Sequence, residues 1–127
     1  MLKENNVDFE SLKNYLKSED FLKKAGPIVS DDNKNYRVSK SDIDGDGIFS
    51  NNNFKKGDFI GYAELNNTRT LAGRYTNHSD LNNAKFYFIK ENENSVLIAE
   101  KDIKKDDEIL VNYRHHFYNK DYYDLKL

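Results

Sequence analysis

From residue 35 onward the apolar residues fall into short runs, of which the first alternates, and this pattern constrains the fold more than any other feature of the chain. Short runs of this kind are separated by polar turns: NYRVSK (35–40), FIGYAE (59–64), AKFYFIK (84–90), SVLIAEK (95–101) and DDEILVNY (106–113). Their length and alternation predict β-strands. The polar turn ENEN (91–94) joins the third and fourth runs, which we expect to form a hairpin. The sequence therefore predicts a small, mostly β domain.

The N-terminal residues have a different period. Apolar side chains between Phe9 and Leu22 recur at roughly helical spacing, which predicts an amphipathic helix over 8–25. Asp8 is a suitable N-cap, and Gly26-Pro27 ends the helix. We therefore divide the chain into a helical extension, 1–27, and a β-rich domain with an aromatic C-terminal tail, 28–127.

Composition excludes several classes of function. The chain of 127 residues has the size of one domain, and its net charge of −2, with scattered Lys and Arg, gives no general attraction to nucleic acid. The absence of Cys excludes disulfides, thiolate nucleophiles and thiolate zinc sites. No apolar run approaches the ~20 residues that cross a bilayer, and the N-terminus lacks a signal-peptide core. We expect a cytoplasmic protein that binds neither membrane nor nucleic acid.

The stretch SDIDGDGIFSNNNF, residues 41–54, has two interpretations. Its acidic residues have the spacing of the first half of a calcium loop: Asp42, Asp44 and Asp46, followed by Gly47. However, Asn53 stands where a chelating Glu is needed, and strands flank the loop instead of helices. Alternatively, Gly45 to Phe49 is a glycine turn that lets a cofactor approach the backbone. The residues of this stretch leave both interpretations open.

Three segments in this order resemble the SET domain of protein-lysine methyltransferases. The first, SDIDGDGIFSNNNFKKGDFIGYAE (41–64), resembles the family's Gly-x-Gly turn and the strand that follows it. The second, GRYTNHSDLNNAKF (73–86), is similar to the Arg-Phe-x-Asn-His-Ser signature. The third, VLIAEKDIKKDDEILVNY (96–113), resembles the acidic strand that leads to a catalytic tyrosine. The resemblance covers about residues 36–118, which is most of the chain.

This resemblance implies a fold and an activity. The fold would be the SET fold, with short twisted β-sheets and a C-terminal pseudoknot in which the last segment threads under the loop that carries Asn77 and His78. The activity would be methyl transfer from S-adenosylmethionine to a lysine of a protein substrate through a narrow aromatic channel. Such a transfer requires no metal.

The resemblance also implies roles for individual residues. Tyr113 would be catalytic and would line the substrate channel together with Tyr62 and Phe117. The cofactor would be bound by residues of the turn, of the second segment and of the tail: Gly45, Asp46, Gly47, Ile48, Arg74, Tyr75, Asn77, His78 and Tyr118. Among these, Tyr118 would stack on adenine. Phe117 stands where the family tunes the number of methyl groups, and a Phe there permits higher methylation.

The chain departs from the family pattern in several places, two of which bear directly on the site. Asp80 replaces a Cys, and only LNNTRTLAG (65–73) remains where the family usually inserts a longer wall of the substrate groove. The helix 8–25 or a second copy in a homodimer could supply that wall. The small size resembles that of minimal viral and bacterial SET proteins. If the chain is viral, we expect it to act in the host cytoplasm. Two alternatives stay open: a SET-fold binding protein with little catalysis, and a calcium module using Asp42, Asp44 and Asp46.

Overall fold

The computed structural model describes residues 28–90, 92, 94–118 and 122–123. The predicted helix 8–25, and with it the proposed boundary at residue 27, lies outside the described residues. Within the described ranges, no helix is long and apolar enough to cross a membrane.

Nine strands and two short helices make up the described part of the chain. In chain order they are β1 (Tyr36–Lys40), β2 (Asp46–Ser50), β3 (Phe59–Leu65), β4 (Thr68–Arg69), α1 (Leu71–Tyr75), β5 (Asn77–His78), β6 (Ala84–Ile89), β7 (Ser95–Ala99), β8 (Glu108–Val111), α2 (Tyr113–Tyr118) and β9 (Tyr122–Tyr123). The strands form two sheets, ordered β1-β2-β8-β5 and β4-β3-β7-β6-β9. Most neighbours are antiparallel, but β5 pairs parallel with β8, and β6 pairs parallel with β9.

The prediction of a mostly β chain is confirmed. The five predicted strands correspond to β1, β3, β6, β7 and β8, and β6 and β7 form the expected antiparallel hairpin. The predicted glycine turn ends earlier than expected, because Gly45 has a φ of 48° and β2 begins at the next residue. A left-handed residue at this position reverses the chain, and glycine adopts that conformation without a steric penalty.

The segment between Glu64 and Arg74 contains structure that the sequence pattern did not predict. Asn66 and Asn67 both have positive φ, at 52° and 64°, and they form the turn of a hairpin between β3 and β4. Asn tolerates this conformation better than most residues, and two consecutive positive φ values suit the twist of a hairpin. Thr70 then caps α1 by accepting a hydrogen bond from the backbone N–H of Gly73 at 3.2 Å.

The main core lies between the two sheets and α1. Every residue of β7 is buried, which explains why its sequence is a continuous apolar run in the middle of a sheet. Leu97 packs in the main core with residues of the first sheet, such as Ile48 and Ile109. Val96 and Ile98 instead belong to a second cluster with Ile89. The central strand thus supports apolar packing on both faces.

Hydrogen bonds of polar side chains connect the loop before β1 to β3. The hydroxyl of Tyr36 donates to Asp31 Oδ1 at 3.1 Å, and Asp31 Oδ2 accepts from the backbone N–H of Tyr62 at 3.2 Å. The side chain of Asn33 donates to the carbonyl of Ile60 at 2.6 Å. Burial and the neighbouring Asp31 carboxylate raise the pKa of Tyr36 to about 12.

The raised pKa of Tyr36 predicts a loss of stability at alkaline pH. Below pH 10 the phenol is protonated in both states, so its contribution is fully present; it is lost as the pH rises from 10 toward about 12, because the unfolded chain ionises first. At pH 7, Tyr36→Phe should lower the free energy of unfolding by about 1 kcal/mol through the lost hydrogen bond. Between pH 10 and 12, wild type should lose stability more steeply than Tyr36→Phe in urea unfolding. Parallel slopes would contradict this account.

Gly73 should resist replacement although it lies in a helix. A Cβ there would collide with the backbone carbonyl of Ala63 on β3. Alanine normally stabilises a helix relative to glycine, so propensity and packing predict opposite signs. Because a backbone oxygen in a central strand cannot move away, we expect Gly73→Ala to lower the free energy of unfolding by about 1–3 kcal/mol. Leu71→Ala, at an exposed position of the same helix, is the control. A stabilised Gly73→Ala protein would contradict the close approach of α1 to β3.

Candidate active site

The parallel pairing of β5 with β8 brings the second and third resembling segments together. Asn77 lies opposite Leu110, and His78 lies opposite Val111. Asn83 strengthens this junction, because its Oδ1 accepts from the backbone N–H of Leu110 at 2.8 Å and its Nδ2 donates to the carbonyl of Glu108 at 2.9 Å. Residues about thirty positions apart in the sequence are therefore fixed side by side.

Asn77 connects this junction to the glycine turn. Its side-chain amide nitrogen lies 3.0 Å from the carbonyl of Asp44, 3.3 Å from the carbonyl of Asp46 and 3.1 Å from Glu108 Oε2. Asn77 is only 1% exposed, so these contacts replace hydration of the amide. All three resembling segments therefore converge on one buried side chain.

The Glu108 carboxylate packs against the backbone of the turn, a contact that the sequence did not predict. Its Oε1 accepts from the hydroxyl of Ser41 at 2.8 Å, and its Oε2 occupies the space that a Cβ at Gly47 would need. A Cβ at Gly47 would therefore have to displace the carboxylate that packs against its backbone. A Cβ at Gly45, by contrast, would have no neighbouring atom within 4 Å, and the positive φ is the constraint there.

The three aspartates of the turn are exposed, and the structure provides no metal site from them. Asp42, Asp44 and Asp46 are all on the surface. Among the described residues, no group of three or more His, Cys, Asp or Glu side chains could hold a metal ion. Two of the carbonyl groups in this turn instead accept hydrogen bonds from Asn77.

Tyr113 begins α2 and is held at both its backbone and its side chain. Its backbone N–H donates to His78 Nδ1 at 3.1 Å, and its hydroxyl donates to the carbonyl of Thr76 at 3.0 Å. The rings of Tyr113 and His78 lie with centroids 5.1 Å apart. The residues on either side of Asn77 therefore determine where the tyrosine hydroxyl lies.

Burial raises the pKa of Tyr113 above its usual range, and the negative charge of Asp44 raises it further. The positive charge of Arg69 opposes this effect. At neutral pH the group is therefore a protonated phenol, which acts as a hydrogen-bond donor and acceptor. It is unsuited to act as a phenolate base.

Two arginines lie in this region. The guanidinium of Arg74 lies over the ring of Tyr75 at 5.2 Å, and its Nε is buried with no hydrogen-bond partner in the described part of the chain. Arg69 lies nearby on β4, where burial lowers its pKa, Glu64 opposes that shift and Arg74 adds to it. A buried, unsatisfied guanidinium nitrogen fits an anionic ligand such as a carboxylate.

The structure places the remaining predicted site residues in the main core, beside the second cluster and on α2. Ile48 is fully buried in the main core, so its backbone is the part that faces the turn. Tyr62 packs against the second cluster, with its ring 5.4 Å from that of Phe59, whereas Tyr113 belongs to the main core. Phe117 and Tyr118 lie on α2, but their side chains are outside the described part of the structure. The roles assigned to these residues stay predictions.

The contact between Gly47 and Glu108 can be tested by a double-mutant cycle. Gly47→Ala should lower the free energy of unfolding by about 1–3 kcal/mol, because the new methyl group displaces the carboxylate that Asn77 and Ser41 hold. In a Glu108→Ala background the same substitution should cost clearly less. Gly45→Asn is the control, and we expect a loss within about 1 kcal/mol because Asn tolerates a positive φ. Additive effects of Gly47→Ala and Glu108→Ala in urea unfolding would contradict the contact.

Comparisons with known proteins agree with this geometry. Residues 65–114 match the model of the SET domain family. A Plasmodium falciparum protein, provisionally assigned as a histone methyltransferase, is 27% identical with a TM-score of 0.54, over 68% of this chain and 98% of that chain. The structure of ctPRC2 in an autoinhibited conformation, bound to S-adenosylmethionine, is 20% identical with a TM-score of 0.54, over 68% of this chain and 16% of that chain. No curated protein sequence matches this chain.

The family match includes the residues that the structure brings together. It extends from the end of β3 to the start of α2, and so contains Arg74, Asn77, His78 and Tyr113. The likeness to ctPRC2 shows a shared fold, and the Plasmodium falciparum protein is covered almost completely. These findings confirm the resemblance of the sequence to the SET domain of methyltransferases, over a stretch that contains these residues.

Proposed function

We propose that this chain is an S-adenosylmethionine-dependent protein-lysine N-methyltransferase. The observation that carries the proposal is the position of Tyr113. Its neutral, buried hydroxyl is held by Thr76, its backbone is held by His78, and both holding residues flank the Asn77 side chain that fixes the glycine turn. The consecutive residues 76–78 hold both the proposed cofactor turn and the Tyr113 hydroxyl, so the distance between turn and hydroxyl is fixed. An in-line transfer requires such a fixed distance.

The residues of the site fit the proposed cofactor. S-adenosylmethionine, when bound, supplies a methyl group on a positively charged sulfonium. The buried Arg74 Nε, which has no hydrogen-bond partner among the described residues, suits the carboxylate of the cofactor's methionine part. Gly45, Asp46, Gly47 and Ile48 would present backbone groups to it, and the lack of a side chain on Gly45 permits this approach.

The surroundings of Tyr113 suit a neutral amine. A lysine must lose its proton before the amine nitrogen can bond to the methyl carbon, yet free lysine has a pKa of ~10.4. Burial disfavours the ammonium form. Tyr113 is only 7% exposed, and burial is the largest cause of its raised pKa. This environment supports the proposal that Tyr113 orients an uncharged lysine nitrogen and accepts no proton itself.

The finer assignments belong to the same proposal. Tyr62, Phe117 and Tyr113 would line the channel, Tyr75 and His78 would contact the cofactor, and the C-terminal segment would form the pseudoknot. The substrate would be a lysine of another protein. Because one similar structure is provisionally assigned as a histone methyltransferase, core histones are the first substrates to examine. A cytoplasmic location, a domain boundary at residue 27 and a homodimer are further parts of this proposal.

A SET-fold binding protein with little catalysis is the second candidate. It is favoured by the segment between Glu64 and Arg74, which contains only the tight turn at Asn66-Asn67, β4 and the first residues of α1. A short segment offers little surface for one wall of a substrate groove. Cofactor binding without methyl transfer to any substrate would favour this candidate.

Tyr113→Phe separates the two candidates. Loss of the hydroxyl should reduce methyl transfer by about 100-fold or more, which is typical for the removal of a positioned polar catalytic group. The free energy of unfolding should fall by only about 1 kcal/mol, the usual contribution of one hydrogen bond. The assay uses labelled S-adenosylmethionine with core histones, and with the protein alone to detect self-methylation.

Tyr87→Phe is the matched control, because it also removes a tyrosine hydroxyl that donates a hydrogen bond, in this case to Glu100 Oε1 at 3.1 Å. It should leave the transfer rate unchanged. Equal rates for wild type and Tyr113→Phe on a methylated substrate would contradict the catalytic role of this tyrosine.

A further inference from the structure

Asp80, which stands where the resembling family has a Cys, is in contact with two residues of the site. Its Oδ1 accepts from Arg114 Nη1 at 3.0 Å and lies 3.4 Å from His78 Nε2. The Asp80 side chain is 74% exposed, whereas the His78 side chain is 8% exposed. An exposed carboxylate thus reaches a buried ring of the predicted cofactor site.

The two ring nitrogens of His78 have different partners, and this determines where the proton lies. Nδ1 is paired with the backbone N–H of Tyr113 at 3.1 Å. A backbone N–H can only donate, so Nδ1 must carry a lone pair. In a neutral imidazole the proton is then on Nε2, which faces Asp80. The carboxylate oxygen therefore faces, at 3.4 Å, the nitrogen that has a proton to donate.

Asp80 also holds the start of α2 by a second route. Arg114 directly follows Tyr113, and its guanidinium bonds to the same carboxylate oxygen that faces His78. One carboxylate is therefore linked to Tyr113 through the His78 ring and through the next residue of the chain. Neither link is directed at the Tyr113 hydroxyl, which bonds to Thr76.

We infer that Asp80 is a positioning residue, which together with Arg114 orients the His78 ring and thereby fixes the first turn of α2 and Tyr113. We refer to Asp80, Arg114 and His78 as the Asp80 clamp. The inference rests on the proposed function for its effect on methyl transfer, but the contacts exist in the unliganded protein. Exposed ion pairs contribute little to stability, so the expected consequence of the clamp is orientation rather than folding.

The test compares three variants. Asp80→Ala removes both contacts of the carboxylate, whereas Asp80→Asn keeps an oxygen that can accept from His78 Nε2. Asp106→Asn is the matched control: Asp106 forms a 3.0 Å ion pair with Arg37 at 66% and 43% exposure, similar to 74% and 45% for Asp80 and Arg114, away from the site. Asparagine also tolerates the positive φ of Asp106, which is 75°.

Three readouts are needed. Nitrogen NMR of the histidines should show His78 in the form protonated on Nε2 in the unliganded wild type. Hydrogen exchange should show the amide of Tyr113 about tenfold less protected in Asp80→Ala, as expected for a weakened hydrogen bond. Titration with S-adenosylhomocysteine should show about tenfold weaker binding by Asp80→Ala. Asp80→Asn should stay within about threefold of wild type, and Asp106→Asn should match it.

The outcomes distinguish failure of the clamp from failure of the proposed function. Unchanged exchange at Tyr113 in Asp80→Ala, or a wild-type His78 protonated on Nδ1, would overturn the clamp. Equal loss of protection in Asp106→Asn would also overturn it, because any surface ion pair would then have the same effect. If wild type fails to bind S-adenosylhomocysteine, the proposed function fails, while the exchange and NMR data on the unliganded protein still decide whether Asp80 positions Tyr113.

Discussion

The buried side-chain amide of Asn77 is the interaction on which the rest of the site depends. Its nitrogen joins the carbonyls of Asp44 and Asp46 to the carboxylate of Glu108, so the glycine turn, β5 and β8 meet at one point. A buried side-chain amide with three neighbouring acceptors is costly to remove, because its contacts join three segments that are distant in the sequence. The converging segments are thus fixed by polar contacts, while the apolar core fixes the sheets around them.

The position of Tyr113 follows from this junction. The parallel pairing of β5 with β8 places His78 and Thr76 beside the start of α2, and both bond to Tyr113. Burial then keeps the phenol protonated, so in the proposed function this group would orient a substrate and would not remove its proton. Under the same proposal, loss of the lysine proton would depend on the environment, in which burial disfavours a positive charge.

The sequence predicted the strands well, because short apolar runs are a local signal, which is continuous in β7 and accompanied by alternating burial in β8. It also identified Asn77, His78 and Tyr113, through resemblance to a family and not through any local property. It could not predict that Glu108 packs under Gly47, or that Asp80 contacts His78 and Arg114, because these contacts depend on parallel pairing between distant segments. The hairpin turn at Asn66-Asn67 could have been predicted from the sequence, since consecutive Asn residues suit a hairpin with positive φ.

Calorimetric titration of the wild-type protein with S-adenosylhomocysteine tests the central claim most directly, because it requires no knowledge of the substrate. The account predicts saturable binding at one site, and a gain of about 2.7 kcal/mol in the free energy of unfolding at a ligand concentration of about 100 times Kd. Asn77→Ala, which releases the turn from β5, should abolish this binding. Absence of both heat and stabilisation in a wild-type protein that is folded would contradict the account.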